Sequence, residues 1–319
     1  MIEDVFEFLQ EGVTPCHAAA TAAAWLDAAG FTRLEEADYW NLEPGRGYYL
    51  VRGGSAVVAW RVPDHAIGGW PITASHSDSP GWKVKADTVE NDGCRRLSVE
   101  GYGGMIMSSW LDRPLTVAGR VLLRTEDGVE TRLVHFDRDL LVIPSLAIHM
   151  QRDVNQGHHY NPQIDMQPLW GPADSRTLTD LLCEELGVKE EDILDRDLQL
   201  VTRQAPTVIG PDGQYFMAPR IDDLECAATT LLGFIEAAAE TDSACAPVWA
   251  MLDNEEVGSS SRQGAQSSFL RDVLDRILEA IPHSAQMEHR ALANSFMLSA
   301  DNGHAAHPNF AAKSDPAAP

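Results

Sequence analysis

Three apolar runs that each end in acidic or imidazole side chains restrict this chain to an open α/β architecture with one shared polar site. Trp70–Ser75 leads into His76-Ser77-Asp78, Val248–Leu252 into Asp253-Asn254-Glu255-Glu256, and Phe296–Ala300 into Asp301. A carboxylate pair, Asp222-Asp223, opens a stretch with apolar residues at Leu224, Ala228, Leu231, Ile235 and Ala238, the spacing of a helix that buries one stripe. In open α/β sheets ligands collect beyond the carboxyl ends of the strands. Charged groups brought there by separate strands point to a single carboxylate-rich site with little counter-charge, and bound metal is its simplest occupant.

The order of elements points to one domain set inside another. Thr14, Pro15 and Gly30 frame an Ala-rich helix over 15–29, with an N-cap, a proline in the first turn and a glycine past the end. Tyr48–Arg52 and Ser55–Val62 flank Gly53-Gly54 as a hairpin. From about residue 87 the texture changes to short alternating strands (Arg95–Glu100, Val117–Arg124, Gly128–Phe136). A Gly/Pro/His-rich stretch over 155–172 and an acidic helix near 176–187 follow. The acidic stretch Glu184–Asp197 is predicted as a solvated helix face and loop. No strong catalytic motif falls in this block, and the parallel-sheet pattern resumes only after it. The expected division is 1–86 and 215–319 for an α/β unit with a mixed, mostly parallel sheet flanked by helices, and 87–214 for a β-rich insertion.

Composition excludes some classes of function. With 24 Lys+Arg against 48 Asp+Glu, the net charge of −24 argues against nucleic acid and anionic membrane as partners. No apolar run reaches eighteen residues and no basic-then-apolar leader opens the chain, so neither a membrane span nor a signal peptide is expected. The five cysteines lack CxxC spacing, which predicts buried free thiols in a reducing compartment and hence a cytoplasmic protein.

Hydrolysis at a metal needs ligands, an open coordination position and a base for the attacking water. His76 offers an imidazole nitrogen, and Asp78, two residues along an extended segment, can orient that ring. Adjacent Glu255 and Glu256 at the end of an apolar strand divide naturally into a general base (Glu255) and a ligand (Glu256), although a solvated turn alone accounts for such a pair. Asp222 read alone is a capping carboxylate. Asp301 closes the third strand, while His304, His307, His158 and His159 read as loop residues. Together the set suits paired Zn2+, Mn2+ or Co2+, and a pair of ions roughly 3.5–4 Å apart needs a bridging carboxylate, for which Asp222 is the natural candidate.

Ala74-Ser75-His76-Ser77-Asp78-Ser79-Pro80, Trp110-Leu111-Asp112-Arg113, Pro144–His149, Ala218–Leu224, Asp253–Ser259 and Ser299-Ala300-Asp301 together resemble the aspartyl aminopeptidase family of di-zinc exopeptidases, in order along the whole chain. The resemblance implies a zinc-exopeptidase-like fold with an inserted dimerisation domain. It implies His76, Asp222 and Asp301 on one zinc and Asp222 with Glu256 on a second. Glu255 is implied as the base and Asp78 as the residue orienting His76. It further implies removal of an N-terminal, often acidic, residue from a peptide substrate, dimers assembling into homo-oligomeric dodecamers, and His149 completing a neighbouring subunit's substrate pocket in trans. Two departures stand out: Asp223 replaces an asparagine, and relatives continue beyond residue 319 with a stretch that carries a second-site histidine. A second zinc site short of that histidine, poor solubility of this chain alone, and an impaired member acting only in assembly or binding are the corresponding expectations.

Overall fold

The computed structural model describes residues 1–239, 245–281 and 284–317. Its strands form two six-stranded sheets and a short hairpin. The first sheet has the order β1 (Thr32–Arg33), β2 (Gly47–Arg52), β3 (Ala56–Arg61), β13 (Val248–Leu252), β4 (Pro71–His76), β14 (Phe296–Ser299). It is mixed: β1/β2, β13/β4 and β4/β14 run parallel, and β2/β3 and β3/β13 antiparallel. The second sheet, ordered β8 (Gly128–His135), β7 (Leu115–Thr125), β10 (Ile193–Thr202), β5 (Gly81–Asn91), β6 (Cys94–Tyr102), β9 (Leu169–Pro172), is antiparallel throughout. A small hairpin of β11 (Thr207–Ile209) and β12 (Tyr215–Met217) follows. The position between residues 86 and 87 falls inside β5, so the second sheet already begins at Gly81.

Strand β13 is a continuous apolar run because it lies between β3 and β4 with helices on both faces. Trp249 and Met251 face a core shared with α1 (Ile2–Glu11), α2 (Pro15–Ala28) and α4 (Ile221–Ala238), through Phe8, Leu26 and Leu231. Val248 and Ala250 face the opposite core, closed by Phe269, Val273 and Ile277 of α5 (Phe269–Ala280) and Ala291 of α6 (Ala285–Ala293). The anticipated stripe of α4 is buried at Leu224, Ala228, Leu231 and Ala238, with Ile235 partly buried. A third core lies under the second sheet, where Leu178, Leu181 and Leu182 of α3 (Leu178–Leu186) cover Leu97, Val117 and Leu198.

Two local expectations are corrected. Residues 193–202 are the central strand β10, paired with β7 along its length, and Asp197 is neutralised by Lys83 and Arg120 instead of facing water as a loop. Gly119 makes that pairing possible, since a Cβ there would sit 2.1 Å from the Asp197 carbonyl oxygen. Strand β14 ends the sheet among the described residues, and Phe296, Met297 and Leu298 are all more than half exposed. The cysteines form no disulfide, but only Cys16 is buried; Cys94, for example, follows the Asp92-Gly93 turn of the β5–β6 hairpin and is exposed.

Candidate metal centre

Register in the first sheet brings the anticipated strand ends together. His76 pairs with Leu252 across β4 and β13, and the Ser77 amide bonds the Leu252 carbonyl at 2.8 Å. On the other side Ser299 pairs with Ala74, and the Ala300 amide reaches the Ala74 carbonyl at 2.7 Å. The chain therefore leaves three parallel strands side by side at His76, Asp253 and Asp301. The first turn of α4, which packs against β4, meets them, and there Asp222 and Asp223 depart from helical dihedrals.

His76 is the hub. Its Nε2 lies 3.3 Å from Asp222 Oδ1, 3.9 Å from Asp301 Oδ1, 3.9 Å from Asp223 Oδ2 and 4.0 Å from Glu255 Oε2. Ligand atoms of His76, Asp222, Asp223 and Asp301, and likewise of His76, Glu255 and Glu256, lie within 4.8 Å of one another. The ring is buried, whereas Asp222, Glu255 and Asp301 are each about half exposed, so the cluster is closed behind and open in front.

Asp78 supports the ring and the glutamate turn at once. The His76 Nδ1 is 3.0 Å from the Asp78 carbonyl and 3.3 Å from its carboxylate Oδ1. That carboxylate, fully buried, also accepts the Glu255 amide on Oδ1 and the Glu256 amide on Oδ2, each at 3.1 Å, and the Tyr102 hydroxyl on Oδ2 at 2.7 Å. Burial alone would raise the Asp78 carboxyl, but the His76 ring, the Tyr102 hydroxyl and the Glu256 amide hold it below the usual carboxylate range.

The electrostatics fit a divalent cation. Burial, followed by the Asp222 charge, pushes Glu256 up to about 7. Burial pushes Asp223 up to about 6. Asp223 is wholly inaccessible: its Oδ2 accepts the His76 amide at 2.9 Å, and its Oδ1 has no hydrogen-bond donor. Burial would depress His76, but its bond to Asp78 and the charges of Asp223, Asp78 and Asp222 outweigh it and raise the imidazole to about 9. Crowded carboxylates, an orphaned carboxylate oxygen and one imidazole are a donor set that a hard or borderline divalent ion satisfies.

His76, Asp78, Asp222, Glu255, Glu256 and Asp301 are thus gathered in one place. His149 is not: it lies in an exposed turn between β8 and β9 and touches none of these groups. His304 and His307 lie in loop, as do His158 and His159. Sequence reasoning missed two contributors. Asp223 carried a signal, its place beside Asp222, but its burial against His76 is a tertiary fact. Tyr102, in the block read as lacking chemistry, carried none.

The family model for the aminopeptidase I zinc metalloproteases (M18) matches residues 8–318. The chain belongs to this family. Among curated M18 relatives, a probable M18 family aminopeptidase 2 of Clostridium novyi (strain NT) is 36% identical over 324 residues, covering 98% of this chain and 74% of the relative. Its counterpart in Streptomyces coelicolor is 42% identical over 324 residues, covering 98% and 73%. Among solved structures, that of the Ape4 and Nbr1 complex superposes with a TM-score of 0.93 at 31% identity, covering 98% of this chain and 65% of that one. The S. cerevesiae mApe1 dodecamer superposes at 0.85 with 26% identity, covering 97% and 73%. The chain therefore spans about three quarters of the M18 relatives' length and 65% of the Ape4 chain. The mixed, largely parallel sheet flanked by helices is the M18 fold, and the enzymes of the family are hydrolases acting on peptides. Among the described residues no helix is long and apolar enough to cross a membrane.

Proposed function

We propose that this protein is a zinc-dependent aminopeptidase that releases the N-terminal residue, acidic or otherwise polar, from a peptide. The observation that carries the reading is the convergence of Asp222, Asp301 and Glu255 within 4.0 Å of His76 Nε2, in a chain of the M18 family. His76, Asp222 and Asp301 would hold one zinc, and Asp222 and Glu256 would serve a second, with the buried Asp223 beside them; a further ligand to the second ion, a histidine in the resembled family, is not among the residues gathered here. Zinc, when bound, supplies Lewis acidity that polarises the scissile carbonyl and makes water acidic enough to attack near neutrality.

The protein's own groups do the rest. Glu255, at the open face, takes the proton from the attacking water and returns it to the leaving amine. Asp78 fixes the imidazole of His76 and, through the amides of Glu255 and Glu256, sets the separation between base and ligand. The open front provides entry: a cavity of about 310 Å3 bordered by His76, Glu255, Ser259 and Asp301 lies on one side, and one of about 370 Å3 reaching Asp222 from Trp110 and Arg113 on the other.

The second sheet is assigned to subunit assembly: residues 87–214 pair protomers, with dodecamers as the final form, and His149 enters a neighbour's site. This is supported by the dodecameric mApe1 neighbour and by the exposed Leu146, Ile148 and Met150 around His149. A cytoplasmic setting accords with five cysteines outside any disulfide.

Release of p-nitroaniline from an aspartyl p-nitroanilide, with and without added zinc, tests the reading. Zinc-dependent release is expected. Absence of release under both conditions would leave the alternative, a family member acting only in assembly or binding.

A further inference from the structure

We propose that Tyr102 is a positioning residue of the metal centre: its hydroxyl, delivered by the second sheet, fixes Asp78 and through it the His76 ring and the Glu255–Glu256 turn. The inference rests on the proposed metal-binding roles of His76 and Glu256.

The hydrogen-bond directions leave one arrangement. The Asn254 amide nitrogen can only donate to the Tyr102 oxygen, so the single Tyr102 hydroxyl proton is left for Asp78 Oδ2 at 2.7 Å. The lone pair of the same hydroxyl accepts the Asn254 Nδ2 proton at 3.0 Å, and Asn254 Oδ1 accepts the Ser261 hydroxyl at 2.6 Å. Asp78 thus accepts the Glu255 amide on Oδ1 and both Tyr102 and the Glu256 amide on Oδ2, while His76 Nδ1, bonded to the Asp78 carbonyl at 3.0 Å, lies 3.3 Å from Oδ1. Removing the Tyr102 hydroxyl leaves Oδ2 of a fully buried carboxylate with one donor, and the carboxylate is then free to rotate away from the ring it orients.

The phenol is itself held by the second sheet. The Lys83 ammonium lies 5.2 Å from the Tyr102 ring centroid and pairs with Asp197 at 2.6 Å; Arg120 reaches the same carboxylate at 3.3 Å. Arg120 also donates to the Gly53 carbonyl at 2.5 Å, in the β2–β3 turn of the first sheet. Strands β5, β6, β7 and β10 therefore meet the first sheet through a polar strut that ends on Asp78. A tyrosine that merely packed would need neither the hydroxyl nor its two oriented partners.

The test is zinc affinity, read by chelator competition on the protein and its Tyr102→Phe variant, which keeps the ring. Loss of such a supporting contact costs 10–100-fold in metal affinity, and that weakening is expected, with little change in metal-free melting temperature and an altered visible spectrum of bound Co2+. In an Asp78→Asn background the same change should cause no further loss, because Tyr102 acts through Asp78. Zinc binding by Tyr102→Phe within twofold of the parent, or losses that simply add in the double variant, would overturn the proposal. A parent protein that binds no zinc would instead overturn the metal assignment on which it rests. Should Tyr102→Phe fail to fold, Asn254→Gly carries the test with the same outcomes; it preserves the left-handed backbone (φ 63°) and removes the amide that points the hydroxyl at Asp78.

Discussion

His76 Nε2 and Asp222 Oδ1 stand 3.3 Å apart, joining the end of strand β4 to the first turn of α4. Asp222 is proposed as the carboxylate shared by both ions, so Asp222→Ala should remove both. Elemental analysis after dialysis against zinc is expected to find none bound; one retained equivalent would contradict the shared role.

Asp223 is buried beneath His76 with one oxygen unpaired, a cost to the metal-free protein. Asp223→Asn keeps an acceptor for the His76 amide and removes the buried charge. The metal-free variant should gain about 1–3 kcal/mol by denaturant titration at pH 7. A loss of stability would show that the carboxylate is better compensated than its surroundings indicate.

Gly103 occupies φ +67° with its Cα against Glu256; an added Cβ would lie 3.0 Å from Glu256 Cβ. Gly103→Ala should cost about 1–2 kcal/mol from the left-handed backbone alone and should weaken zinc binding by displacing the glutamate. Unchanged affinity in a folded variant would show that Glu256 adjusts freely.

Away from the centre, burial and then the neighbouring His135 and Arg220 lower His17 to about 4 from an ordinary value of 6.5. The folded protein holds this ring neutral, while the unfolded chain protonates it below pH 6.5. Its contribution is therefore intact above pH 6.5 and is lost as pH falls through that value toward 4, by up to about 3 kcal/mol. His17→Gln should flatten that part of the stability profile; an unchanged acid limb would count against it.

Much of this site was legible because its members stand where strands stop. His76, Glu255 and Asp301 end apolar runs, and Asp222 begins an amphipathic helix, so local pattern sufficed to group them. Tyr102 was not legible: at the end of an alternating strand it reads as packing, and its partner Asp78 belongs to the other sheet. The strand β10 was hidden for a related reason. Asp195, Arg196 and Asp197 look like a solvated run until Lys83 and Arg120, distant in sequence, neutralise Asp197.

The most direct test of the central claim is turnover of an N-terminal aspartyl substrate by the zinc-loaded protein and by Glu255→Gln, with metal content measured on the same samples. Glu255 is assigned as the base and not as a ligand, so the variant should keep its zinc while kcat falls about 10²–10⁴-fold. Turnover that survives the substitution with zinc intact would contradict the account.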